Sequence, residues 1–175
     1  MRVRGACVIK EAVVSDVQSL KVAAVMERVR LASPWQPFAW KPAELLLDTG
    51  EYGDAPRCLV RDADALRWLF PNLEVALFRD EAENYYLNAT SPEPCAFVMW
   101  RMEQLDGEEI AVPQTVTLSY GEAARWLDSG EQVEPLPLAP SLHYWLDAYV
   151  TAHYVPEQKQ RRRPQSFLSP DKRAK

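Results

Sequence analysis

The chain is poor in the residue types that most often carry chemistry. Its 175 residues include only two histidines, three cysteines and six glycines. Cys7, Cys58 and Cys95 are odd in number and widely spaced, so we expect buried thiols rather than a disulfide framework. His143 and His153 are ten positions apart, about 80° around one predicted helix, which is a poor geometry for sharing a metal ion. We therefore predict no metal site and no cofactor.

Sequence signatures of catalysis are also missing. Gly50 and Gly53 do not form a phosphate-binding loop, because no lysine and no helix follow them. Asp80, Glu81 and Glu83 have no histidine, lysine or metal motif nearby, so we interpret them as a solvated acidic turn rather than acid–base carboxylates. We predict no catalytic residues, which favours a binding protein over an enzyme.

Long apolar runs are absent as well. No stretch approaches the ~20 apolar residues that a helix needs to cross a bilayer. Lys10 and Glu11 interrupt the short apolar run near the N-terminus, so an export signal is not expected. The sequence predicts a cytoplasmic protein without a membrane span.

The charge of the chain is unevenly distributed. From Pro156 onward seven basic and two acidic residues give +5, whereas the first 155 residues carry 13 basic and 23 acidic residues, a net charge of −10. An acidic body argues against a nucleic-acid-binding face. The basic tail is suited to an acidic partner, an RNA or the body itself.

Runs of aromatic and β-branched residues, separated by turns with proline, glycine or aspartate, predict a mainly β protein of the α+β class. We expect seven to eight antiparallel strands, at 20–31, 38–47, 57–61, 66–70, 73–78, 85–87, 95–102 and 110–118. Turns are expected at Pro71-Asn72 and at Asp106-Gly107, the latter typical of a two-residue hairpin. The run 95–102 is apolar on both faces, which predicts a central strand.

Two helices are predicted near the C-terminus. Ser119 and Glu122 have the spacing of a capping box, which predicts a helix at 120–129. Its buried side is expected to hold Ala123, Trp126 and Leu127. Residues 131–140 contain three prolines and predict an extended connector, after which Pro140 opens a last helix. That helix has an apolar stripe formed by Leu142, Trp145, Leu146, Tyr149, Val150 and His153.

Together these patterns predict a small antiparallel barrel or sandwich, closed at one end or face by the two helices. The alternative is a single curved sheet with the last helix in its concavity. We expect residues 1–19 to be an N-terminal extension, 20–155 a single globular β-rich domain with C-terminal helices, and 156–175 a basic, disordered tail.

Three sets of residues are candidates for binding. The first is an aromatic patch around two prolines, although packing of a small β domain explains the same residues: Trp35, Phe38, Trp40, Tyr85 and Tyr86. The second is the tail, read either as a docking peptide or as a solubilising segment: Arg161, Arg162, Arg163, Phe167 and Leu168. The third is a set of polar groups facing a pocket inside a barrel, for a small ligand or cofactor: Glu27, Arg28, Arg79 and Arg101.

Several motifs are similar to those of an uncharacterised proteobacterial family, the domain-of-unknown-function family numbered 3305. The motifs are Val25-Met26-Glu27-Arg28, Pro34-Trp35, the run 79–102, the run 119–128 and Gly130-Glu131-Gln132-Val133. The resemblance covers about 22–154, and 166–170 is similar to the family's usual ending.

Genes of this family typically lie beside those for molybdenum-dependent formate dehydrogenase and its maturation factors. The resemblance therefore implies an accessory role in assembly, cofactor delivery or regulation of that enzyme, with the enzyme or a maturation factor as protein partner. It supplies no catalytic residues.

Overall fold

The computed structural model of the chain describes residues 17–156. The elements are β1 (Val17–Arg30), β2 (Phe38–Leu47), β3 (Arg57–Arg61), β4 (Leu66–Phe78), α1 (Ala82–Ala89), β5 (Cys95–Leu105), β6 (Glu108–Thr117), α2 (Tyr120–Asp128), β7 (Gln132–Pro137) and α3 (Pro140–His153). A single 3-10 turn, Arg79–Glu81, leads from β4 into α1.

The strands form two antiparallel sheets around one apolar core. Sheet A has the order β2-β1-β4-β3, and sheet B has the order β6-β5-β7. Their inner faces contribute to a common cluster that includes Val22, Met26, Trp68, Leu77, Val98, Ile110 and, from α3, Leu146. The arrangement is sandwich-like, which agrees with the sandwich of the predicted barrel or sandwich. The predicted barrel is wrong, because each sheet keeps two edges and the two do not close on each other.

Several local predictions are confirmed. The strand predicted at 38–47 is β2, and the hairpin predicted from 57–61 and 66–70 is formed by β3 and the first part of β4. Asp106 and Gly107 have φ angles of 53° and 81°, as a two-residue hairpin turn requires. β5 lies at the centre of sheet B, as its apolar sequence predicts.

The strand predicted at 85–87 is wrong, because these residues lie in α1. Tyr85, Asn88 and Ala89 are buried while Leu87 is exposed, which is the spacing of one helical face. The acidic residues before and within the first turn also favour a helix start, since they complement the positive end of the helix dipole. Tyr85 packs edge-on against Tyr149 of α3, with 5.9 Å between ring centroids.

Pro71 and Asn72 do not separate two strands, as predicted, but lie inside the single strand β4. Asn72 takes a left-handed conformation with φ 61°, and the register between β1 and β4 shifts opposite it. The Asn72 N–H donates to Oδ2 of Asp48 at 3.2 Å. The proline and asparagine thus produce a β-bulge rather than a turn.

The connector predicted at 131–140 is wrong, because residues 132–137 form β7, paired with β5. Prolines are tolerated there because β7 is an edge strand and needs no donors on its open side. Within residues 17–156, α3 is therefore the one helix that follows the last strand, whereas two helices were predicted to do so. The predicted apolar stripe of α3 holds, with Leu142, Leu146, Tyr149 and Val150 buried, but Leu127 of α2 is 55% exposed instead of buried.

Candidate functional site

The connection between β1 and β2 carries the most exposed large hydrophobic side chain of residues 17–156. Trp35 is 94% exposed. The connection is closed by the Leu31 N–H, which donates to the Pro37 carbonyl at 2.8 Å. Within it, the Trp35 N–H donates to Oγ of Ser33 at 3.3 Å, and the prolines on both sides fix φ. Trp35 is therefore held outward by its backbone and not by contacts of its ring.

Next to this connection, arginine and aromatic side chains share the inner face of sheet A. Arg28 of β1 lies opposite Trp40 of β2 and opposite Leu66 of β4. Two residues further along β1, Arg30 lies opposite Phe38. Residues directly opposite each other on neighbouring strands point to the same face. The buried Leu66 identifies it as the face turned toward sheet B.

The arginines of this region differ in their partners. Nη1 of Arg30 is 2.6 Å from Oδ1 of Asp64. Nη1 of Arg61 is 2.6 Å from Oε1 of Glu108, and this pair joins sheet A to the start of β6. The Arg28 guanidinium instead lies over the Phe38 ring, 4.6 Å from its centroid. We call the following group the arginine–aromatic end: Arg28, Arg30, Arg61, Trp35, Phe38 and Trp40.

A second cluster of polar groups joins α1 to α2. Glu81 accepts hydrogen bonds from Oγ of Ser119 at 2.6 Å, from Nδ2 of Asn84 at 2.8 Å and from Nη2 of Arg125 at 2.9 Å. Burial raises the pKa of Glu81, but these three hydrogen bonds outweigh it and hold the pKa below its usual value. Glu81 is thus ionised and only 18% exposed, which corrects its interpretation as part of a solvated turn.

Ser119 in this cluster is fully buried and also caps α2, where its Oγ accepts from the Glu122 N–H at 3.1 Å. This confirms half of the predicted capping box. In the other half, the Ser119 N–H donates to Oγ1 of Thr117 at 3.1 Å, and that hydroxyl donates to Oε2 of Glu122 at 2.5 Å. With no open space at the Ser119 hydroxyl, the cluster holds two helices together and does not offer a nucleophile.

The sequence model of a family described as a protein of unknown function, DUF3305, matches residues 21–163. The chain belongs to the DUF3305 family. This confirms the family resemblance of the motifs. Searches of curated proteins and of solved structures each found no match.

In this DUF3305 domain the predicted aromatic patch is divided between two places. Trp35, Phe38 and Trp40 lie together at the arginine–aromatic end. Tyr85 is fully buried, and its hydroxyl accepts from the Phe78 N–H at 3.3 Å. Phe78 pairs with the first residue of β1, so Tyr85 lies about 40 Å along that strand from the arginine–aromatic end. Tyr86, on α1, stacks on Tyr154 with ring centroids 4.5 Å apart.

The four polar groups predicted to face a barrel interior are also dispersed. Glu27 lies 3.3 Å from Lys41 and 3.7 Å from Arg67, on the outer face of sheet A. Arg101 of β5 is exposed and pairs with Glu131, the residue before β7. Arg79 lies in the exposed turn before α1. Arg28 lies at the end of sheet A that is farthest from Arg79, and Glu27 points to the other face of the sheet. The structure therefore does not bring the four residues together around one cavity.

Two cavities of 280 Å³ each lie elsewhere in residues 17–156, both against the edge strand β7. One is lined by Ala43, Glu44, Leu45, Leu46, Leu136, Pro137 and Ala139. The other is lined by Glu93, Cys95, Pro135 and Pro137. Burial raises the pKa of the Cys95 thiol, which keeps it protonated and a weak nucleophile.

Three observations complete the placement of the candidates. No three His, Cys, Asp or Glu side chains of the described region are grouped so that they would hold a metal ion. No helix between residues 17 and 156 has the length and apolar character to cross a membrane. The tail candidates Arg161, Arg162, Arg163, Phe167 and Leu168 lie outside the described residues, as do residues 1–16 of the predicted extension.

Proposed function

We propose that this protein is a non-enzymatic accessory protein that binds a protein partner in the maturation or regulation of a molybdenum-dependent formate dehydrogenase. The partner is the enzyme itself or a maturation factor. Two things support the proposal: the gene neighbourhood typical of the family that the motifs resemble, and the exposed Trp35.

The exposure of Trp35 carries the binding part of the proposal. A tryptophan buries roughly 150–250 Å² when it is covered. At about 25 cal/mol per Å² this corresponds to about 4–6 kcal/mol, and at 94% exposure almost none of it is realised within the fold. Tryptophan is also among the residues that most often dominate the free energy of protein association. A backbone-held, uncovered tryptophan is what a binding surface needs.

The edges of both sheets favour recognition by side chains over addition of a strand from the partner. Proline and β-bulges remove the donors and the regular spacing that a new strand requires. Each of the four edge strands in the described region has such a feature: Pro42 and a bulge in β2, a bulge between Cys58 and Val60 in β3, Pro113 in β6, and Pro135 with Pro137 in β7.

The basic tail provides a second element of the proposed mechanism. Its net charge of +5 attracts an acidic partner over a range of about 10 Å at 0.1 M salt. In the proposal the tail accelerates encounter, and Trp35 provides the specific contact. Deleting residues 156–175 is then expected to slow association and to weaken its dependence on salt; unchanged association would remove the tail from the mechanism.

The test of this function is affinity purification of the tagged protein from its native host, followed by mass spectrometry. We expect the wild-type chain to recover formate dehydrogenase subunits or their maturation factors above an empty-tag control. Trp35→Ala is expected to lose this recovery. Tyr144→Ala is the matched control, because Tyr144 is 79% exposed but lies on α3, away from the β1–β2 connection.

The result that would overturn the formate dehydrogenase assignment is recovery of neither the enzyme nor a maturation factor by the wild-type chain. Equal recovery by the Trp35→Ala and wild-type chains would instead refute the role of Trp35.

A further inference from the structure

We infer that Arg28 is a second anchor of the partner site and that the partner places a carboxylate against it, beside the apolar surface that covers Trp35. The inference rests on the proposed function, since it specifies the chemistry of a partner that binds at the same end of the domain. It makes an acidic protein surface the expected partner.

Arg28 differs from the other cations of sheet A in having no polar partner among residues 17–156. The strands of this sheet carry seven cations, and six of them have hydrogen-bonding or ionic partners. These pairs are Lys21 with Asn72, Arg30 with Asp64, Lys41 with Glu27, Arg57 with the Tyr52 carbonyl, Arg61 with Glu108, and Arg67 with Glu44. Within residues 17–156, Arg28 has only its contact with the Phe38 ring, and its Nε is buried without a hydrogen-bond partner.

The absence of a carboxylate at Arg28 contrasts with the composition of the domain. Residues 17–156 contain 21 acidic and 10 basic residues, so a cation has two potential partners on average. A half-buried guanidinium with an unsatisfied donor is costly unless something completes its hydrogen bonding. A cation that has no anionic partner within its own fold is expected at a surface where a binding protein supplies the anion.

The stacking of Arg28 prepares it for one kind of ligand. A guanidinium that lies over a ring keeps its N–H donors in its own plane. The Nε donor of Arg28 is buried, so the donors offered to an incoming group are those on its two Nη atoms. The planar fork of donors matches the two oxygens of a carboxylate. Because the ring of Phe38 already holds the guanidinium, little side-chain entropy is lost when the carboxylate binds.

The charge around Arg28 favours a carboxylate of a protein over a nucleic acid. Asp64 and Glu108 neutralise the neighbouring Arg30 and Arg61, so the arginine–aromatic end has room for one negative group rather than a row of phosphates. Residues 79–156, by contrast, carry 13 acidic and three basic residues and would repel an acidic partner. An acidic surface is thereby directed to the arginine–aromatic end.

The test uses random 16-residue peptides displayed on phage and selected on the full-length wild-type chain, with counter-selection on Trp35→Ala. We expect enriched peptides to combine Asp or Glu with neighbouring apolar residues. For a synthetic enriched peptide, Arg28→Met should weaken binding on the order of thirtyfold, measured by fluorescence polarisation. The matched control is Arg101→Met, which removes an exposed, paired arginine of sheet B and should change the affinity by less than about twofold.

Two further measurements distinguish a lost contact from a loss of folding in Arg28→Met. Replacing the peptide's acid by its amide leaves the protein intact and should produce a similar loss. Arg28→Glu should recover binding when the peptide acid is replaced by lysine. Peptides without acidic residues, or an affinity indifferent to both Arg28→Met and the acid-to-amide change, would overturn the inference, as would failure to enrich any peptide.

This test does not use formate dehydrogenase, so the two proposals fail separately. Recovery of the enzyme from the native host together with peptides that ignore Arg28 would refute only the carboxylate anchor. Peptides that require Arg28, without recovery of the enzyme or its maturation factors, would refute only the assignment to that enzyme.

Discussion

The side chain of Asn88 and the backbone of Cys95 are joined by two hydrogen bonds. Nδ2 of Asn88 donates to the Cys95 carbonyl at 2.7 Å, and Oδ1 accepts from the Cys95 N–H at 3.0 Å. The same Nδ2 donates to the Leu118 carbonyl at 2.8 Å. Asn88 is fully buried, so one side chain fastens α1 both to the start of β5 and to the segment that leads into α2.

Replacing this side chain is expected to be among the most destabilising single changes. Asn88→Ala leaves three backbone groups without their partners, the Leu118 carbonyl in a buried place and the two Cys95 groups in a half-buried one, which costs about 3 kcal/mol of the free energy of unfolding. Urea unfolding of the purified chain measures it. Gln104→Ala is the control, because Gln104 is an exposed amide of β5 and its loss should change the free energy by less than about 0.5 kcal/mol. Equal stability of the two variants would contradict the role of Asn88.

The contrast between β2 and α1 shows what the sequence predicts and what it does not. β2 is bounded by connections that contain proline and glycine, so the residues next to it in the sequence are enough to predict where it begins and ends. In α1, two adjacent tyrosines favour a strand by propensity. The helix is chosen instead because Tyr85 packs against Tyr149 of α3 and Asn88 donates to the Leu118 carbonyl, and both partners are distant in the sequence. A pattern of neighbouring residues contains no information about such distant partners.

The candidate site divides in the same way. Trp35 is identifiable from its flanking prolines alone, because a proline-fixed connection seldom buries a large ring. Its grouping with Arg28 depends on the β1–β2 register, and the separation of Tyr85 from Trp35 depends on where β4 ends. The partners of Glu81 lie up to 44 residues away in the sequence, which is why this carboxylate resembled an ordinary surface acid.

The lowered pKa of Glu81 predicts a specific pH dependence of stability. Because the pKa in the folded chain is lower than in the unfolded chain, the ionised carboxylate stabilises the fold above the ordinary value of 4.5. This contribution is lost as the pH falls through the folded-state pKa. At pH 7, Glu81→Gln should lower the free energy of unfolding by about 2 kcal/mol, and the difference from wild type should shrink below about pH 4.5.

Unfolding curves at pH values between 3 and 7 are the measurement, and Glu83→Gln is the control for general charge effects. Glu83 is an exposed neighbour in the first turn of α1. A wild-type to Glu81→Gln difference that stays constant with pH would show that the Glu81 carboxylate does not titrate as proposed.

Gly121 and Asn84 are predicted to be coupled energetically. A Cβ at Gly121 would lie 2.8 Å from Nδ2 and 3.1 Å from Cγ of Asn84, closer than atoms approach without displacement. Asn84 has little freedom to move, because it donates to Glu81. Gly121→Ala is therefore expected to destabilise the wild-type chain despite the higher helix propensity of alanine. In an Asn84→Ala background the obstruction is absent, and the same substitution should be stabilising.

The double-mutant cycle provides the measurement. We expect a coupling of about 1–2 kcal/mol between positions 84 and 121 in the free energy of unfolding. Additive effects of the two substitutions would mean that the helices separate at this contact without cost.

The exposure of Trp35 predicts its own spectroscopic signature. All six tryptophans lie within residues 17–156, and Trp68 and Trp100 are only 2% and 7% exposed. Trp35→Phe should remove emission that is red-shifted and readily quenched by acrylamide, while the free energy of unfolding changes by less than about 0.5 kcal/mol. Trp68→Phe should instead remove blue-shifted, protected emission and destabilise the core by 1 kcal/mol or more, an order-of-magnitude expectation for a change in core volume.

Binding should reverse the first of these signatures. When the acidic partner covers the arginine–aromatic end, the emission assigned to Trp35 by the Trp35→Phe difference should shift to the blue and lose its sensitivity to acrylamide. Since the other five tryptophans remain in Trp35→Phe, that variant reports any change elsewhere in the domain. A partner that binds without altering the Trp35 emission would place its contact on another surface and refute the anchor role of this side chain.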